Sequence, residues 1–256
     1  MRRLRHLVGQ HRTSYTNRLL GGLLAFNAGA INAGGFLVVG MYTSHMTGFA
    51  SMVADNLVLG RMTLVLGAIG ALLAFTVGAA TTAVLVNWAR QHQLRSEYAL
   101  PLLLEALLML VFGLIGATLN RQTPFAVPLT VLVLAFIMGL QNALVSKMSS
   151  SQIRTTHMTG VITDLGIELG KLFYWNRTGQ PFESRVRANR IKLRLFGTLL
   201  GMFIAGGVVG ATGFKYVGFI WVMPLALLLF ALSLPPLYSD YRRAMRRKAR
   251  AASQHP

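Results

Sequence analysis

Six stretches of about twenty or more residues run through this chain almost free of charge, and nothing else in the sequence limits its fold so strongly. They are Leu19 to Tyr42, Met62 to Ala89, Ala99 to Leu119, Ala126 to Ser146, Leu193 to Gly213 and Tyr216 to Leu237, with Glu105 and Arg194 their only charged residues. About 20 apolar residues of helix cross the roughly 30 Å hydrocarbon layer of a bilayer. Backbone in lipid must satisfy its own hydrogen bonds, and the two-residue alternation of a barrel strand is absent, so the segments read as helices. The expected fold is all-α, a polytopic membrane bundle of about six transmembrane helices. The N-terminus superficially resembles a secretory signal, but cleavage at Ala28-Gly29-Ala30 would destroy the first segment, which is read as a retained span.

The formal net charge of +18 invites a nucleic-acid reading. Placement argues against it. Most Lys and Arg fall in three clusters, Arg2 to Arg18, Lys171 to Arg194 and Arg242 to Arg250, separated by neutral spans. Clustering of this kind marks the cytoplasmic side of a membrane protein. Residues 1–18 are therefore expected as a basic cytoplasmic segment, 19–237 as one membrane domain and 238–256 as a basic cytoplasmic tail. The same clusters would attract anionic lipid headgroups. The chain has no cysteine, which excludes disulfides, thiolate metal ligands and thiol nucleophiles.

The chain also repeats itself. Thr43-Ser44-His45-Met46-Thr47-Gly48 returns as Thr155-Thr156-His157-Met158-Thr159-Gly160, each copy preceded by a hydrophobic run ending in Asn32-Ala33 or Asn142-Ala143. Gly60-Arg61 and Gly170-Lys171 follow at similar distances. Matches in the same order at a nearly constant offset indicate an internal duplication, with repeat 1 at about 19–119 and repeat 2 at about 126–237. Three spans in each repeat would invert the second relative to the first. Secondary transporters are commonly built this way, with the site at the repeat interface near the midplane. The His-Met-Thr-Gly segments, at 15 to 17 residues, reach only about 22 to 26 Å, which favours re-entrant or half-spanning pieces over eight spans in parallel repeats.

Ionisable groups inside apolar stretches nominate a site, because each costs several kcal/mol in lipid unless paired or hydrated. On a helix, His157, Asp164, Glu168 and Lys171 share a sector of roughly 60°. The first copy keeps that stripe in part, as His45, Met52 and Asn56, with Asp55 about 80° away. Three readings stay open: a path for a proton or cation, a self-neutralising network with Lys171, or a helix at the membrane interface with its polar face in water. Glu105 stands alone in the third span, either as a proton-coupling group or as a shallow residue near Arg90 or Arg95. The amides Asn32, Gln141 and Asn142 lie beside small residues and suit either a binding site or hydrogen bonds between helices. With Thr47, Gly48, Thr159 and Gly160 from the repeated motif, these residues form the candidate solute or ion path. No metal-ligand spacing is recognised, and no cofactor is expected. The glycine patterns Gly197 to Gly201 and Gly206 to Gly210 are expected at helix contacts.

Asn32-Ala33 with Ser44-His45-Met46-Thr47-Gly48, and Gly139-Leu140-Gln141-Asn142-Ala143 with Arg154 to Gly160, resemble the two hallmark stretches of the YoaK-like family of bacterial membrane proteins. The likeness spans about Leu20 to Leu237, with one departure at Phe49, where that family's first motif often continues with Asn. It implies a multi-pass protein of the bacterial inner membrane. It carries no activity, because the family is one of unknown function.

Two function classes remain. A small-solute or ion transporter is favoured by the repeats and by polar groups at membrane depth. A non-transporting adaptor or anionic-lipid-binding protein is favoured by the basic loops. An enzyme is not expected, since His-Glu-x-x-His, Gly-x-Ser-x-Gly and a phosphate-cradling loop are all missing. Expected partners are the bilayer, anionic headgroups, a small solute or ion and, as an open option, a second copy of the chain.

Overall fold

The structure, a computed structural model, describes residues 14–118, 126–148, 158–176, 181 and 185–252. These form α1 (Ser14–Val39), α2 (Met46–Val58), α3 (Met62–Gln91), α4 (Ala99–Thr118), α5 (Ala126–Met148), α6 (Met158–Phe173), α7 (Arg190–Tyr216) and α8 (Val222–Ala252). A 3-10 turn, Gly218–Trp221, joins α7 to α8, and no strand occurs among the described residues. Among the described residues five helices are long and apolar enough to cross a bilayer: α1, α3, α5, α7 and the segment containing α8. The remaining long helix, α4, is apolar and 20 residues long.

Most ends follow local chemistry. α1 stops at Gly40, whose φ of +72° places it in the left-handed region that closes helices. It therefore ends before Tyr42, the limit expected from hydropathy. Gly60, with φ +69°, turns the chain from α2 into α3. α7 starts earlier than its apolar run because the Asn189 side chain accepts hydrogen bonds from the Ile191 and Lys192 N–H groups. α8 begins at Val222 rather than Tyr216, since the 3-10 turn intervenes, and it continues as helix into the basic tail.

Packing is organised by two close crossings. α1 lies along α7, and a Cβ on Gly29 would overlap the Phe203 carbonyl, while one on Gly206 would overlap that of Phe26. Between α5 and α3 the arrangement recurs, Gly139 facing the Phe75 carbonyl and Gly78 that of Phe136. Backbones this close are possible only without side chains, and in lipid such packing replaces the hydrophobic drive that helices lack there. Gly210 likewise meets the Ala30 backbone, whereas a Cβ on Gly197 or Gly201 would meet nothing within 4 Å. The expectation of helix contact thus holds for the Gly206 to Gly210 pattern and fails for Gly197 to Gly201, which faces outward.

The contacts also fix helix directions. Along α1, Gly22, Gly29 and Gly34 meet Thr198, Phe203 and Phe214 in turn, so α1 and α7 run the same way. Gly70 beside Leu132 and the Thr82 hydroxyl donating to the Leu140 carbonyl (2.9 Å) show the same for α3 and α5. α1 and α5 are antiparallel: Gln141 Nε2 donates to the Leu24 carbonyl at 3.1 Å, while Gly35 lies against Leu134. α4 and α8 are antiparallel as well, tied at one end by Ser96, whose N–H and hydroxyl both donate to Asp240, and at the other by Gly113 against Val222. α1 and α5 are mostly buried, whereas α3, α7 and α8 turn most of their apolar surface outward. Leu66, Leu73, Val84, Ile204 and Val208 are among the exposed residues, as expected for a surface in contact with lipid tails.

Gly206→Val should push α1 off α7 and cost at least about 1–3 kcal/mol, the usual range for overpacking. Gly197→Val should be nearly neutral. Thermal unfolding of the two detergent-purified variants, followed by size-exclusion of the folded fraction, checks this, and equal losses would contradict the crossing.

Candidate functional site

The two short helices begin beside one cavity of about 890 Å³. α2 contributes Met46 and Thr47 with the preceding Tyr42, Ser44 and His45, and α6 contributes Met158 and Thr159. The walls are Asn32 of α1, Phe75 and Ala79 of α3, Asn142, Ala143 and Ser146 of α5, and Phe203 of α7. Every long helix except α4 and α8 therefore reaches the cavity.

Its geometry begins with Asn32, whose side-chain oxygen accepts from the Ser44 hydroxyl at 2.9 Å and from the Ser44 N–H at 3.3 Å. This bond pins the loop before α2 onto α1 and turns the start of α2 toward the cavity. His45 occupies the N-cap position without capping the helix through its side chain. The N–H groups of Thr47 and Gly48 donate to no described group, so the first turn keeps free donors where Thr47 meets the cavity. A Cβ on Gly48 would touch the His45 ring at 3.0 Å. Hydroxyls, amides and backbone donors thus share the cavity with Phe75, Phe203 and methionine surface, and among the described residues lining it no Asp, Glu, Lys or Arg occurs. A small polar solute is what such a lining can bind.

The remaining candidates lie elsewhere. Gln141 is buried at the α1–α5 contact. Asp55 on α2 and Asp164 on α6 are exposed and do not line the cavity, nor does Gly160. Glu105 is buried in α4, bonded to Asn27, and away from Arg90, which instead pairs with Glu97 and donates to the Tyr98 hydroxyl at 3.1 Å. His157 falls outside the described residues. Sequence reasoning passed over Ser44, Phe75 and Phe203. The two phenylalanines each lie three residues before a crossing position, Gly78 or Gly206, and that shared spacing was the available signal.

Glu168 has a role at the loop end of α6, outside the five long spans. Its carboxylate accepts from the Asn189 N–H at 2.7 Å and from Lys171 Nζ at 2.9 Å, and Asn189 in turn caps α7. The backbone donor of Asn189, then Lys171, holds this carboxyl below the usual carboxylate range.

Comparison with known proteins agrees with a membrane location. The family model described as Protein of unknown function (DUF1275) matches residues 20–234. The chain belongs to that family. Among curated proteins it is similar to the UPF0700 transmembrane protein YoaK of Bacillus subtilis (strain 168), 29% identical over 193 residues that cover 73% of this chain and 83% of the relative. No solved structure matches. With its apolar helices and a transmembrane relative, the chain is a multi-pass membrane protein of the YoaK-like family.

The Glu168 tie sets a pH dependence. A carboxyl lowered in the folded state stabilises the fold above its unfolded value of about 4.3, and the contribution is lost as pH falls through the lower folded value. Wild type should therefore melt higher than Glu168→Gln at neutral pH, with the gap closing in acid. Melting curves of both proteins across that range test it, and a gap independent of pH would remove the ionised tie.

Proposed function

We propose that this protein is a small-solute or ion transporter made of two inverted three-span repeats, with the cavity as its solute site. One observation carries the reading: the cavity is lined by corresponding positions of the two halves. Asn32 and Asn142, Met46 and Met158, Thr47 and Thr159 come from the duplicated motif, and Phe75 and Phe203 from the two matching crossings. A site to which both halves contribute is what alternating access around a fixed solute requires.

Helix directions support inversion over parallel repeats. α5 corresponds to α1, and parallel copies would run the same way, yet α1 and α5 are antiparallel. α4 and α8 stand in the same opposed relation. On this reading α1, α3, α4, α5, α7 and α8 cross the membrane. α2, with 13 residues, and α6, with 16, reach about 20 and 24 Å and serve as half-spanning pieces that start at the site. The starts of α1, α4 and α7 and the ends of α3, α5 and α8 then share one face. That face carries Arg18, Arg90, Lys147, Arg190 and Arg242, against Arg61 and Lys215 on the other. By the positive-inside bias it is cytoplasmic, as are both termini. Asp55, Asp164 and Glu168 remain candidates for groups that an ion meets on the way to the cavity. The alternative, a non-transporting adaptor that binds anionic lipid, draws on the exposed Arg242, Arg243 and Arg246 along α8.

The purified protein in liposomes, screened with labelled amino acids, carboxylates and inorganic ions under imposed pH and sodium gradients, should move at least one of them. Asn142→Leu combined with Thr159→Val should cut that flux by about tenfold or more, as loss of a hydrogen bond worth about 1–3 kcal/mol implies. Binding to anionic liposomes with no flux of any probe would favour the adaptor. Single cysteines placed in this cysteine-free chain at Gln93 and Gly60 should label from opposite faces, and labelling from one face would contradict the inverted arrangement.

A further inference from the structure

Glu105 is the one charged side chain within the apolar stretches of the six long helices; Arg18, Arg90, Lys147, Arg190, Lys192, Arg194 and Lys215 lie near helix ends, and α8 carries charge only from Asp240 onward, past its apolar stretch. The helices packed around α4 present no charge to it. Arg90 and Lys147 close α3 and α5, Arg18 lies at the start of α1, and Asp240 is the first charged residue of α8. Among the described residues Glu105 has no ion-pair partner. Its described neighbours are Asn27, whose Nδ2 donates to Oε1 at 3.4 Å, and Met109, whose sulfur lies 3.7 Å from the same nitrogen. Both side chains of the polar pair are buried, and each keeps an oxygen without a partner, Oε2 of Glu105 and Oδ1 of Asn27.

Two partnerless oxygens beside one amide are able to share a proton. In the ionised form the carboxylate accepts from the Asn27 amide. With a proton on the carboxyl, the O–H can donate to Asn27 Oδ1 after a turn of the amide, and both orphans are satisfied. The exchange is a simple one, carboxylate plus proton giving carboxylic acid, with the proton coming from water at the nearer face. Taking that charge out of hydrocarbon removes a cost of several kcal/mol.

The fold does not call for polar groups here. The offset that relates Asn32 to Asn142 relates Asn27 to Ile137. Ala99-Leu100-Pro101-Leu102 and Val222-Met223-Pro224-Leu225, which open α4 and α8, set Glu105 opposite Leu228 in register. In the second half the corresponding pair is aliphatic, so packing alone is served without an amide and a carboxyl. Along α1, Asn27 precedes Asn32 by five residues, about 7.5 Å of helix, which puts the pair between the cavity and the face carrying Arg90 and Asp240.

We propose that Glu105 and Asn27 form a proton-binding site that couples solute movement through the cavity to a proton gradient. The coupling rests on the transport reading above; the proton site itself does not. Infrared difference spectra of the reconstituted protein across a pH series should show a carboxylic-acid carbonyl band that titrates in wild type, disappears in Glu105→Gln and changes frequency in Asn27→Ala. Absence of a wild-type band that Glu105→Gln removes would overturn the site. The double variant Asn27→Ile, Glu105→Leu copies the aliphatic pair of the second half, which keeps the fold testable if a single change misfolds. For any labelled solute that moves, wild type should accumulate it against its gradient when a pH difference is imposed, and the double variant should only equilibrate it. Accumulation retained in the double variant would overturn the coupling. A titrating band with no flux of any solute would count against the transport reading and still support the proton site.

Discussion

Everything else in this structure depends on two places where helix backbones touch. In water, burying apolar side chains would hold such a bundle together. In lipid that drive is absent, because a leucine gains little by leaving one hydrocarbon for another. Close contact between Gly29 and Phe203, Gly206 and Phe26, and their counterparts Gly139 with Phe75 and Gly78 with Phe136 supplies dispersion that bulkier residues would forfeit. These crossings hold α1 and α5 at the centre, and the cavity lies where their asparagines, one turn beyond each crossing glycine, meet the starts of α2 and α6.

Much of this was legible in the chain. Length and hydropathy located five of the six long helices to within about five residues, whereas α8 starts later than its apolar run and extends well beyond it, and the repeated motif drew attention to Asn32, His45, Thr47, Asn142 and Thr159, all of which line the cavity. What the sequence withheld was mostly three-dimensional. The outward direction of Gly197 depends on which face of α7 meets α1, and the two GxxxG patterns look alike as strings. Glu168 pairs with Lys171 on the polar stripe of α6, as periodicity allows, yet its other bond runs to Asn189, 21 residues away and beyond that reach. Asn27 drew no notice because its meaning comes from Glu105, which is 78 residues distant.

The two halves share crossing and lining positions and differ in chemistry. Crossing glycines, wall phenylalanines and motif threonines agree, whereas the acidic residues do not: Glu105 faces an amide in the first half, and Glu168 secures a loop in the second. On the proposed transporter reading, duplication provides a symmetrical frame, and differences written on it give that frame a direction, without which the two sides of the membrane would be equivalent to the solute.

The pairing of helices has a consequence for how the protein is made. α1 finds its partner not within its own half but in α7, and α3 finds its partner in α5. Gly206 leaves the ribosome long after Gly29, and at roughly 5–20 residues per second the first helix waits about ten to thirty-five seconds in the bilayer for the surface it fits. During that interval its glycine groove and the polar groups Asn27 and Asn32 face lipid or an insertion chaperone. The α1–α7 crossing can therefore close only after most of the bundle has been made, and neither half, made alone, carries the partner for its own first helix.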